Sequence, residues 1–190
     1  MFLRVARGAR WAYIALVPDE WIRQWGDPVL HEVAAPVRGL DDVLRAQVER
    51  MKRRLDDAEG AGLAGTQVGF LRRVFVFRAS LEEEIEALVN PKVVAASSER
   101  AAFVEGCLSY QSVAVIVERS VAVRVQAQTL EGRSLVLDVD GYSASLLQHE
   151  IDHLDGVLTL DRADPVERRR AMGILLDRAR MDREAPELAA

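Results

Sequence analysis

Apolar positions along the 190-residue chain follow two periods, and the places where one gives way to the other mark the expected elements. Between Asp41 and Asp57, the residues Val43, Leu44, Val48, Met51 and Leu55 form a helical stripe, with Asp41 and Asp42 suited to the first turn and Gly60 to the stop. From residue 73 the spacing shortens to alternating or β-rich runs, which predict strands at 73–77, 85–89, 113–117, 121–128 and 134–139. Turn residues, among them Asn90-Pro91 and Glu131-Gly132-Arg133, separate these runs. Helical spacing returns after Asp140-Gly141 and runs to Gly156. A third helix is signalled by Asp164 as N-cap and Pro165 at the first helical position. The stretch GDPVLHEVAAPV from Gly26 is broken too often for either period and reads as an extended or looped arm. Strands that seldom alternate with helices predict an α+β fold, with mostly antiparallel sheets packed around a central helix and a further helix at the C-terminus.

The central helix also carries chemistry. Leu146, His149, Glu150 and His153 stand at i, i+3, i+4 and i+7 and share one face, while Leu147, Ile151 and Leu154 form an adjacent apolar stripe. Two imidazoles one turn apart can meet a single divalent ion, and a glutamate beside the first is placed to handle protons rather than to ligate. The competing reading is two surface histidines on a charged helix. It is the weaker one, since two of the three histidines in the chain fall in this pattern. A catalytic site needs a third protein ligand. The extended pattern HExxHxxGxxH holds through Gly156 and fails at Thr159. Glu167, Glu184 and Glu187 are downstream alternatives. Cys107, in EGCLSY, offers a thiolate, against the ordinary fate of a lone cysteine as a small buried hydrophobe.

The run from Gly60 to Gly65 spells GxGxxG, but it follows the charged segment KRRLDDAEG instead of a strand, which argues against a dinucleotide site. Glycines there permit unusual backbone angles or close approach of a ligand, and Gln67 behind them supplies an uncharged amide donor suited to an oxyanion.

Composition narrows the setting. The apolar fraction of 49% and charged fraction of 29% are those of a globular chain. A net charge of -5 gives no reason to expect DNA or another nucleic acid as main partner. A single cysteine forbids an internal disulfide and points to a reducing compartment, hence the cytoplasm. The opening residues hold three arginines before the first acid, yet the apolar run from Ile14 to Val17 is too short for a signal sequence or a membrane span. The expected organisation is an N-terminal extension at 1–21, a single domain at 22–180 and a tail at 181–190.

Three segments taken together, GAGLAGTQVG (60–69), EGCLSY (105–110) and QHEIDHLDG (148–156), resemble the motifs of the peptide deformylases in type and order. GDPVLHEVAAPV and LVNPKVV extend the likeness over about residues 22–165. The resemblance implies one divalent ion on Cys107, His149 and His153, Fe(II) by preference with zinc, nickel or cobalt accepted. It implies Glu150 as general base and then acid, and Gln67 with the Leu108 N–H as holders of the carbonyl oxygen. Gly62, Leu63 and Gly106 would line the substrate cleft. The implied reaction removes the formyl group from the N-terminal methionine of new polypeptides, releasing formate, with the ribosome exit region as a partner. For Arg168, Arg169 and Arg170, a solvated helix face is the favoured alternative to a ribosomal RNA contact. The chain departs from the usual pattern at Ala61, Gly65, Tyr110-Gln111 and Ala114. All but Gly65 touch substrate grip, and Ala61, Tyr110 and Ala114 keep open a paralogue acting on another small N-acyl substrate; a non-catalytic, metal-stabilised binding module is a separate alternative, against which the presence of Glu150 and Gln67 argues. Gly65, in place of alanine, is expected to loosen its loop.

Overall fold

A computed structural model describes residues 21–110 and 113–184, with side chains as far as Met181. The N-terminal extension apart from Trp21, the departure at Gln111, and Glu187 in the tail lie outside these residues.

The continuous apolar run VFVF explains the centre of the fold. It forms β2 (Val74–Phe77), whose two faces are both buried because helices cover both sides of its sheet. On one side Val74 and Val76 meet Leu44, Val48, Met51 and Leu55 of α1 (Asp42–Asp57). On the other side Phe75 meets Leu147, Ile151 and Leu154 of α2 (Gly141–Leu154). Each of these buried side chains contributes roughly 1.5–3 kcal/mol relative to exposure. The stripes on both helices therefore reach the core as their spacing predicted, except that Val43, in the first turn of α1, is 63% exposed and faces solvent. Asp41 caps α1 by accepting from the Leu44 N–H at 2.8 Å.

The five-stranded sheet has the order β1-β2-β3-β6-β7, with β1 at Gly62–Ala64, β3 at Glu86–Ala96, β6 at Ala122–Gln128 and β7 at Ser134–Asp140. All its pairings are antiparallel. A separate two-stranded ribbon joins β4 (Arg100–Glu105) to β5 (Val115–Ser120). Behind it lie α3 (Thr159–Arg162) and α4 (Pro165–Glu184), where Leu160, Ala171 and Leu175 pack on Val115 and Val117.

Two expectations change. Asn90-Pro91 does not end a strand: β3 runs through it, with the register slipping between Val89 and Lys92. Asn90 takes a φ of 51°, and its side chain bonds both the N–H and the C=O of Val37 at 2.8 and 2.9 Å. The bulge leaves Pro91, which has no N–H, at the irregular point of the ladder. The other change is a pair of strands that the spacing did not predict: the short β1, and β4, which leads directly into the EGCLSY motif.

Candidate active site

Each motif arrives on its own element. Helix α2 supplies His149, Glu150 and His153, all buried. Cys107 follows β4 by two residues and is half-buried. Gln67 sits in a short 3-10 turn, Gly65–Val68, after β1. Backbone links tie the pieces together. The Thr66 hydroxyl donates to the His153 carbonyl at 2.9 Å, and the arm before Gly26 bonds both other motifs, through Arg23 N to Gln67 O and Trp25 N to Ser109 O, each at 2.7 Å. Nothing in the spacing of that arm announced this role.

Cys107 Sγ and one ring nitrogen each of His149 and His153 lie within 4.8 Å of one another, with Cys107 Sγ 3.2 Å from His153 Nε2. Thiolate and imidazole ligands on one tetrahedral ion sit roughly 3.5 Å apart, given bond lengths of about 2.3 and 2.1 Å. The donor set thus fits one borderline divalent ion. Thr159 holds no ligand position, and its hydroxyl lies 3.3 Å from His149 Nδ1. Glu167 bonds Arg170 and the Ile116 N–H instead, which removes it as a third ligand.

The residues behind the ligands were not legible in the sequence. His149 Nδ1 pairs with Glu105 Oε2 at 2.9 Å, which leaves Nε2 for the ion. Ser145 donates to Glu105 Oε1 at 2.7 Å, and Arg119 grips both Glu105 oxygens at 2.9 and 3.0 Å. Arg119 also reaches Asp152, which Arg162 holds at 2.6 and 3.0 Å. Burial pushes the Glu105 carboxyl up, but the His149 and Arg119 hydrogen bonds outweigh it and hold the group at about 2. Burial, aided by neighbouring His149, keeps His153 well below the ordinary histidine value, so it stands as neutral imidazole with a lone pair. Burial also lowers His149, but Cys107 and Glu105 overturn it and raise the group well above that value. The negative charge that favours a proton there favours a cation equally.

Glu150 is 2% exposed, and its Oε2 has no hydrogen-bond partner among the described residues. Burial pushes its carboxyl up to about 7, with His149 opposing and Glu105 assisting. Gly62 is where it is because of this glutamate: a Cβ there would stand 2.2 Å from Glu150 Oε1. The glycine thus serves close approach of a protein carboxylate, where close approach of a ligand was the expectation. Gly65 does not loosen its loop, since an added methyl would meet the Phe70 and Arg72 carbonyls at 2.5 and 2.9 Å.

A cavity of about 510 Å3 opens on this centre, lined among others by Gly62, Gln67, Gly106, Leu108, His149 and Glu150. Leu63 differs: its side chain is fully buried in the core on the α1 side, so only its backbone on edge strand β1 remains for a substrate. Gln67 Nε2 donates to Ser109 Oγ at 3.1 Å and to Cys107 Sγ at 3.5 Å, while its Oε1 accepts from Ala64 N. The Leu108 N–H has no partner among the described residues. Of the departures from the motif pattern, Tyr110 is 2% exposed and packs with Val115 and Leu160, outside the cavity lining.

A thiolate and two imidazoles converging beside a buried carboxylate, at the floor of an open cavity in an α+β fold, define a metal-dependent hydrolase. Comparison with known proteins makes this particular. The family model for polypeptide deformylase matches residues 19–169. The peptide deformylase of Thermotoga neapolitana is 39% identical over 162 residues, covering 85% of this chain and 98% of that protein. That of Treponema pallidum is 43% identical over 145 residues, covering 76% and 87%. Among solved structures, a Legionella pneumophila peptide deformylase aligns with a TM-score of 0.80 at 32% identity, covering 87% of this chain and 98% of that one. A Synechococcus elongatus peptide deformylase in complex with actinonin aligns at 0.78 and 36%, covering 83% and 88%. The chain belongs to the peptide deformylase family.

Proposed function

We propose that the chain hydrolyses the formyl amide of N-formylmethionyl peptides, giving formate and a free N-terminal amine, during protein synthesis in the cytoplasm. The observation that carries this reading is the unpartnered Glu150 carboxylate oxygen, buried beside the Cys107, His149 and His153 donor set. A merely structural metal site has no use for such a group, because an unpaired buried polar atom costs about 1–3 kcal/mol.

An ion held by Cys107, His149 and His153, Fe(II) by preference with zinc, nickel or cobalt as substitutes, supplies Lewis-acid activation of water at neutral pH. The residues do the rest. Glu150 accepts a proton from the attacking water and passes it to the departing amine, so one carboxylate serves as base and then acid. Gln67 Nε2 and the Leu108 N–H stabilise the oxyanion, and the free Leu108 N–H supports that role. Gln67 turns one donor from Cys107 or Ser109 toward the substrate when it binds. Gly62, Gly106 and the backbone of Leu63 flank the extended peptide, whose main-chain hydrogen bonds tolerate many sequences.

The domain at 22–180 holds this machinery. At the expected contact with the ribosome exit region, Arg168 and Arg170 already bond Asp161, Glu167 and the Ala114 carbonyl, which favours a solvated helix face there. The test is formate release from a short N-formylmethionyl peptide by protein loaded anaerobically with iron, nickel or zinc, beside the N-acetyl analogue. Metal-dependent turnover of the formyl peptide alone is expected. No turnover in any form, with one metal bound per chain, would overturn the assignment.

A further inference from the structure

A second cavity, of about 370 Å3, opens against a different face of α2 from the catalytic cleft. Five cations line it: Arg73, Lys92, Arg100, Arg119 and Arg162. Three carboxylates line it with them and Glu105 grips Arg119 from behind, which leaves a local excess of one positive charge in a chain whose net charge is -5. The carboxylates are already engaged. Asp152 is held by Arg119 and Arg162, Asp155 receives Arg73 Nη1 at 2.5 Å, and Glu118 lies 3.8 Å from Arg100 Nε.

The donors are not exhausted in the same way. Arg162 spends Nε and Nη2 on Asp152, Arg73 spends Nε on the Pro91 carbonyl and Nη1 on Asp155, and Arg100 spends Nη2 on the Glu118 carbonyl at 2.7 Å. Each keeps one terminal amino group without a partner among the described residues, and so does the Lys92 ammonium. These guanidinium groups are held in place by their other bonds, so little side-chain freedom is lost when an acceptor arrives. Arg119, 4% exposed, gives the pocket a fixed floor. Surplus preorganised N–H donors with net positive charge call for an acceptor with several anionic oxygens.

We propose that this pocket binds a phosphate-class oxoanion, either a free phosphate or a phosphate of an RNA backbone. The pocket is separate from the catalytic cleft, so the proposal stands or falls independently of the deformylase assignment.

The test follows backbone amide shifts of the zinc-loaded protein during titration with inorganic phosphate. Saturable shifts are expected at Lys92, Arg100 and Gln148. Affinity should fall about ten-fold or more in a Lys92→Glu/Arg100→Glu variant. Lys92→Ala alone, at an exposed position, should weaken binding in the same direction if the double variant folds poorly. A parallel titration with a short single-stranded RNA identifies the source: tighter, salt-sensitive binding at the same amides means a polymer backbone, and no shift there means free phosphate. Absence of saturable shifts, shifts confined to Cys107 and His149, or unchanged affinity in the variants would overturn the proposal.

Discussion

The two sides of His149 obey opposite rules. Behind it, Glu105, Arg119, Asp152 and Arg162 form a charge cluster in which the three buried members, Glu105, Arg119 and Asp152, are paired, several of them twice. In front of it, Glu150 Oε2 stands alone in the cavity lining; the other buried side-chain atoms without a partner among the described residues are the Tyr110 hydroxyl, outside that lining, and His153 Nδ1, the ring nitrogen not turned to Cys107 Sγ. A buried unpaired group is expensive, and a fully paired network is rigid. The contrast shows where this fold accepts the cost. Saturation behind the ligands fixes their orientation, and vacancy in front leaves bonding capacity for an ion, a water and a substrate.

Removing a ligand breaks the contrast most severely. Cys107→Ala or His153→Ala should abolish both bound metal, read by elemental analysis, and formate release; retention of one tight metal per chain would show that the donor set is wrong. Next comes Glu150→Gln, which should keep the metal and lose about 10²- to 10⁴-fold in rate. A loss of metal instead would make Glu150 a ligand rather than a proton carrier.

On the saturated side, Arg119→Met leaves Glu105 and Asp152 buried with diminished compensation. Urea denaturation should report a loss of roughly 3–5 kcal/mol, and a loss under 1 kcal/mol would mean the cluster is dispensable. Glu105→Gln is milder in stability but releases the His149 ring, so metal affinity should drop about 10- to 100-fold in competition with a chelator.

The smallest effect sharpens the comparison from outside. Asp41 is an exposed carboxylate held down to about 2 by its hydrogen bond with Arg72 and by the Leu44 N–H. Its folded-state value is depressed, so its contribution is present above the ordinary 3.8 and disappears as pH falls through about 2. The gap in urea midpoint between wild type and Asp41→Asn should be small at neutral pH and close over that interval. A gap that persists at pH 2 would show that charge is not its origin.

How much of this the sequence announced depends on the distance over which each feature is decided. Helix α2, its apolar stripe and the pairing of His149, Glu150 and His153 follow from residues within two turns, where a period of 3.6 fixes which side chains share a face. The apolar run of β2, the capped start of α1 and the donor chemistry of Cys107 are equally local. The same reasoning failed at Asn90-Pro91, where local turn propensity yielded to a bulge that the ladder on both sides holds in place.

What only the tertiary structure decided are the closures between distant segments. Glu105 meets Ser145 and His149 across 40 and 44 residues, and Arg119 meets Asp152 across 33. No periodicity relates such positions, because they come together only when β4 pairs with β5 and α2 docks against the sheet. The grouping of Cys107 with His149 and His153, and the engagement of Glu167 by Arg170 and the Ile116 N–H, arise in the same way. The sequence by itself determined which groups could do chemistry and on which helix face they stand. Packing determined which of them meet, which are neutralised by a neighbour, and which are left open, because burial and pairing depend on the whole fold.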